Sequence, residues 1–118
     1  MGWATHHISK LYHGEIIEFR PKGGSMSGLI ENNDLVKVIP RGEYEPQKGD
    51  IVLCKVQQNE YLHKVTAIKP GMVQISNNRN YVNGWAPLKN VYGICIEVAG
   101  RVIKDLPTID NNTTTKHA

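Results

Sequence analysis

A glycine-flanked serine is the residue in this chain best suited to nucleophilic chemistry. Ser25 sits in Gly23-Gly24-Ser25-Met26-Ser27-Gly28-Leu29. A hydroxyl attacks a carbonyl effectively when a base takes its proton and donors catch the developing oxyanion. Gly23 and Gly24 carry no Cβ, so the backbone there can turn tightly and approach a substrate. The N–H groups of Ser25 and its neighbours can then point at a carbonyl oxygen, with Met26 turned inward as the anchor of the loop. Two bases follow in Tyr61-Leu62-His63-Lys64-Val65. On a strand His63 and Lys64 face opposite sides, so only one of them meets the serine. A histidine with its ordinary value near 6.5 is mostly neutral at about pH 7.5, whereas a lysine must fall about three units from roughly 10.4 before it accepts a proton. His63 is therefore the expected base and Lys64 the fallback.

The elements that carry these residues read as strands. Alternation with a period of two dominates, and strands rich in Val and Ile are expected over 15–19, 34–39, 50–56, 61–68, 72–76 and 91–98, with a continuation at 101–103. Pro40-Arg41-Gly42, Pro46-Gln47-Lys48-Gly49 and Lys69-Pro70-Gly71 are turn signals, and Gln57-Gln58-Asn59-Glu60 reads as a polar hairpin tip. A short helix is expected only around 27–31, directly after the serine. Strands this short and this close predict a mainly β protein: a compact, curled antiparallel sheet or partial barrel.

The chain has 118 residues, 40% of them hydrophobic, and a formal net charge of +3. That length predicts one domain, over 1–104, with 105–118 as a flexible tail of low apolar content. No run of Lys and Arg marks a nucleic-acid face, and no apolar stretch reaches the roughly 18–20 residues that span a bilayer. A cytoplasmic location is expected, because the first residues lack the apolar core of a signal peptide. Cys54 and Cys95 lie inside apolar runs and read as small buried hydrophobes. His6, His7 and His13 are the one histidine grouping, but adjacent histidines at a ragged terminus are not a metal motif. Neither a metal nor a cofactor is expected. Trp85 with Pro87 is expected to cap the sheet, and the Asn32-Asn33 and Asn77-Asn78 pairs suit turns.

The order of these motifs resembles a known superfamily. Gly24-Ser25-Met26, Asn33-Asp34-Leu35-Val36-Lys37-Val38, Lys48-Gly49-Asp50-Ile51-Val52 and Tyr61-Leu62-His63-Lys64-Val65 follow one another as in signal peptidases, LexA-type repressors and UmuD-type polymerase subunits. The segments 73–81 and 91–96 agree, so the resemblance covers roughly residues 15–98. It implies the curled β fold of that superfamily and a serine nucleophile at Ser25. Most members pair the serine with a lysine that begins a triplet of lysine, arginine and an aliphatic residue. Here the triplet is His63-Lys64-Val65, which puts His63 on the base position, as in signal peptidases of the endoplasmic-reticulum type. The chain departs from the pattern at Gly28, where signal peptidases carry proline, and at Asn33, in place of the first Gly-Asp glycine. Asn77 falls where they carry an aspartate, and the loop 80–85 offers no carboxylate to orient His63.

Three functions are thus open to the sequence. The leading one is peptide-bond hydrolysis of a peptide or protein substrate by a soluble protein, with Ser25 as nucleophile and His63 as base. A Ser-His pair without its orienting member is slow or inactive, which gives the second: a catalytically silent module that dimerises and contacts a regulatory protein partner, as UmuD-type subunits do. The third is a small β-barrel nucleic-acid binder using Lys37, Arg41, Lys55 and Lys64. The lack of an appended DNA-binding or membrane domain suggests a stand-alone protein, as from a phage or mobile element. Repressor-type relatives cut themselves at a small-residue–glycine bond upstream of the serine. No Ala-Gly or Cys-Gly pair precedes Ser25, so no self-cleavage is expected.

Overall fold

The run Ile51-Val52-Leu53-Cys54 organises the fold. Four consecutive apolar residues without alternation indicate a strand buried on both faces, not one face in water. In the computed structural model, which describes residues 2–106, this run is the start of β3 (Ile51–Val56), with all four side chains buried. Ile51 and Leu53 belong to one apolar cluster, and Val52, Cys54 and Val56 to a second.

The remaining strands are β1 (Ile17–Phe19), β2 (Val36–Pro40), β4 (Asn59–Lys69), β5 (Met72–Ser76), β6 (Val82–Pro87), β7 (Val91–Val98) and β8 (Arg101–Val102). They form one antiparallel sheet in the order β1-β2-β7-β3-β4-β5-β6, with β8 paired to β7. The sheet curls without closing. Its first cluster is covered by the serine loop, through Met26 and Ile30, and by α1 (Thr5–Tyr12), through Leu11. The second is enclosed by β5 and β6, through Val73, Ile75 and Ala86. The mainly β, curled antiparallel sheet expected from the sequence is what the structure shows.

Four segments differ from expectation. The amino-terminal segment, read as ragged, folds into α1, with Ala4, Ile8 and Leu11 turned to the first cluster. Full burial of a leucine such as Leu11 contributes about 1.5–3 kcal/mol. Gly93 on β7 makes this approach possible, since a Cβ there would lie 2.6 Å from Val38 Cγ1, 2.8 Å from Leu11 Cδ1 and 2.9 Å from the Ile39 carbonyl oxygen. The segment 80–85, read as a loop, belongs largely to β6. Segment 27–31 forms turns and no helix; one α-type hydrogen bond, from Ile30 N–H to the Met26 carbonyl, closes at 2.8 Å. The hairpin tip shrinks to Gln57 and Gln58, because β4 already begins at Asn59. Cys54 and Cys95 are buried free thiols, each pushed up to about 12 by burial. Of the expected tail 105–118, the part from 107 lies outside the described residues.

Candidate active site

The serine loop leaves β1 after Phe19 and is stapled at its base. Asn33, at φ 71°, donates its N–H to the Pro21 carbonyl at 2.8 Å, and its own carbonyl and side-chain oxygens accept Arg20 Nη1 at 3.0 Å and Lys22 Nζ at 2.9 Å. Gly23 turns with φ 96° and gives its N–H to Asn32 Oδ1 at 2.7 Å. Gly23 therefore shapes the loop, and its donor is already used. Met26 and Ile30 are buried and hold the loop on the sheet. Glu31 closes the far side, accepting Ser27 Oγ and the Gly28 N–H at 2.8 Å each. Those bonds, the Gly28 N–H first, hold its carboxyl below the usual carboxylate range.

Asn78 clamps the loop from the sheet side. Its N–H donates to the Ser25 carbonyl at 2.9 Å and its Nδ2 to the Ser27 carbonyl at 2.8 Å, while its Oδ1 accepts Lys64 Nζ at 2.8 Å. Lys64 thus reaches the serine loop only through Asn78. Nothing in this geometry gives it the Ser25 proton.

His63 takes that place. Its Nε2 lies 3.1 Å from Ser25 Oγ, and its Nδ1 lies 2.7 Å from Asn83 Oδ1. An amide oxygen only accepts, so the Nδ1 proton points to Asn83 and the Nε2 lone pair is left for the serine hydroxyl. Tyr61, two residues earlier on the same face, sets its ring 4.8 Å from the imidazole. Burial lowers the His63 pKa, and the Asn83 hydrogen bond opposes that in part. A buried neutral imidazole is the form a general base requires.

Asn83 is the residue that sequence reasoning missed. Ile75 pairs with Gly84 and Ser76 with Val82, so Asn83 is the extra residue of a β-bulge. Bulges re-aim side chains, and this one directs an amide oxygen at His63. Asn77 is occupied elsewhere: its Oδ1 accepts the N–H of Arg79 at 2.8 Å and of Tyr81 at 3.0 Å. The group on His63 Nδ1 is thus an amide and not a carboxylate. An Asn-Gly pair beside an aromatic residue reads as a turn, and no local signal distinguishes it from an orienting residue.

Ser25 opens onto a cavity of about 560 Å³ whose lining runs from Trp3 and Phe19 through Met26 and Ile30 to Leu62. Trp3 stands there because Glu60 holds the start of α1. The Glu60 carbonyl accepts Trp3 Nε1 at 3.1 Å, and its two carboxylate oxygens accept the Ala4 N–H at 2.6 Å and Thr5 Oγ1 at 2.8 Å.

The other sequence candidates do not converge. His7 stacks on Phe19 at 4.3 Å and His13 Nδ1 lies 2.8 Å from the Ser9 carbonyl of its own helix. Among the described residues no group of three His, Cys, Asp or Glu is placed to hold a metal. Lys37 pairs with Glu97 at 3.3 Å, Arg41 donates to the Val91 and Tyr44 carbonyls, and Lys64 is bound to Asn78. Trp85 lies under Lys69 Nζ, 4.3 Å from the ring centroid. No helix among the described residues is long and apolar enough to cross a membrane.

A scan against protein-family models, a search of curated proteins and a search of solved structures each return no match.

Proposed function

We propose that this chain is a serine hydrolase acting on peptide bonds, with Ser25 as nucleophile, His63 as general base and Asn83 as the residue that orients the base. The observation that carries the reading is the continuous line from Ser25 Oγ through His63 to Asn83 Oδ1, at 3.1 and 2.7 Å. Both distances lie within the reach expected of a nucleophile and its base, even before a substrate tightens the site. In this mechanism Ser25 Oγ attacks the scissile carbonyl as its proton passes to His63 Nε2. The C–N bond then breaks, and the imidazolium returns that proton to the departing amine. Water, deprotonated by His63, attacks the Ser25 ester; the acyl C–O bond breaks, His63 returns that proton to Ser25 Oγ, and the acid is freed. Asn83 keeps one tautomer throughout and accepts from the Nδ1–H of the imidazolium. The resemblance to the signal peptidase and LexA superfamily supports the same assignment of Ser25 and His63.

A small alkyl fluorophosphonate tests this reading without knowledge of the substrate. Attack by Oγ forms the Ser–O–P bond and expels fluoride. We expect a single adduct on Ser25, located by peptide mass spectrometry, that is absent in Ser25→Ala and His63→Ala and in urea-unfolded protein. A folded wild-type chain that stays unlabelled overturns the hydrolase reading and leaves the silent binding module.

A further inference from the structure

The cavity beside Ser25 has an apolar floor and aromatic groups on one wall. Met26, Ile30 and Leu62, all buried members of the first apolar cluster, form its floor. Phe19 and Trp3, with ring centroids 5.7 Å apart, line it on the α1 side. Its volume of about 560 Å³ lies inside the range of roughly 300–1,000 Å³ typical of ligand sites.

The charged groups around it are tied to the chain near its rim. Both oxygens of the Glu60 carboxylate are taken by the start of α1, and Glu31 is held by Ser27 and Gly28. Arg20 and Lys22 are both bonded to Asn33. Arg20 and Lys22 are exposed, so a charged side chain that reached past them to Met26, Ile30 and Leu62 would lose water among apolar groups that offer it no partner. A methyl group would leave most of the cavity wet. The occupant that fits is a large apolar side chain.

The geometry points to a specificity pocket for a large apolar residue of a peptide, next to the bond that Ser25 attacks, with Trp3 setting its width. This rests on the hydrolase reading for the attack, but the pocket itself can be probed separately. It also assigns a role to α1: the helix carries no reacting group, and Glu60 pins it so that Trp3 stands at the pocket.

The test uses the full chain and peptidyl diphenyl phosphonates whose acyl-terminal residue is Ala, Leu or Phe. One methylene in an apolar pocket is worth about 10- to 200-fold in discrimination. Leu and Phe probes should therefore modify Ser25 at least tenfold faster than the Ala probe. Trp3→Ala should collapse that ratio, and Trp3→Phe should largely restore it. Equal rates for Ala and Phe, with Ser25 still labelled by the small fluorophosphonate, overturn the pocket and leave the hydrolase reading standing. A ratio that survives Trp3→Ala overturns the role of Trp3. If Ser25 fails to react with any probe, binding decides the pocket. In a Trp85→Phe chain, capped peptides containing Phe should shift Trp3 fluorescence saturably where Ala peptides do not. No shift with either overturns the proposal.

Discussion

Asn83 is the residue on which the proposed chemistry turns, because a Ser-His pair needs something to hold the imidazole in one tautomer. Asn83→Ala removes the acceptor for Nδ1–H, and turnover of a peptide ester should fall about a hundredfold or more, with little change in KM. Lys64→Met leaves the Ser25–His63 contact intact and should retain most of the activity. Comparing kcat for the two variants decides between His63 and Lys64 as base. The pH dependence follows from burial. Because the folded pKa of His63 lies below the ordinary 6.5, the acidic limb of the kcat/KM profile should lie below that value. The same shift has a stability consequence. The unfolded chain binds this proton at higher pH than the folded one, so stability from His63 is fully present above 6.5 and is lost as pH falls through the depressed folded value. The urea midpoint of the wild type should therefore fall more steeply below pH 6.5 than that of His63→Gln. The meeting of Ser25 and His63 was legible in the sequence because their types and order are chemically distinctive. Asn83 was not, since its role depends on a bulge, and a bulge is a property of two paired strands.

The helix and the hairpins show which structural signals a sequence carries locally. β3, β5 and β7 are continuous apolar or alternating runs bounded by turn residues, and each was readable within about a residue of its ends. β6 contains Asn83, Gly84 and Pro87, which read as loop; an edge strand tolerates them because one side needs no ladder partner. α1 is eight residues long, with three histidines or serines in its first five positions and its stabilising acceptor, Glu60, more than fifty residues away. A helix this short is marginal by itself, so its existence depends on packing that local periodicity does not display. Gly93 tests that dependence. A methyl group added there meets both Leu11 of α1 and the backbone of β2, so Gly93→Ala should cost about 1–3 kcal/mol by urea denaturation. Gly93→Ala combined with Leu11→Ala should cost less than the sum of the two separate changes, because shortening Leu11 relieves one of the overlaps the new methyl makes. The β7–β8 hairpin offers the opposite change. Ala99 and Gly100 have φ of 51° and 81°, the left-handed pair that a two-residue primed turn uses. Ala99→Asn suits that turn better and should add about 1 kcal/mol in the same assay.

At the scale of the whole molecule, what decides whether Ser25 acts on its own chain is which backbone can reach it in an accessible, extended form. Under the proposed repressor-type kinship the bond at risk joins a small residue to glycine, and the pair Ala99-Gly100 has that composition. It forms the turn of the β7–β8 hairpin, and the Ala99 N–H is bonded to the Leu35 carbonyl at 2.8 Å. Moving it to the serine would pull Glu97 and Val98 away from β2 and β8 together, exposing a side chain, Val98, that is fully buried. Upstream of the serine the backbone is committed as well. β1 is paired along its length with β2, and α1 has its carbonyls turned into its own hydrogen bonds and its start held by Glu60. Of these two segments, α1 presents no extended backbone, and β1, an edge strand open on its outer side, is anchored by its pairing with β2 and by buried Ile17. Cleavage of the chain by its own serine would therefore need local unfolding of an element that is part of the core. The protein should remain at one mass through prolonged incubation from neutral to alkaline pH, while the fluorophosphonate still labels Ser25. A fragment ending at Ala99, or one cut before Ser25, that appears in the wild type and not in Ser25→Ala would show that the hairpin or the helix opens far more readily than its packing implies.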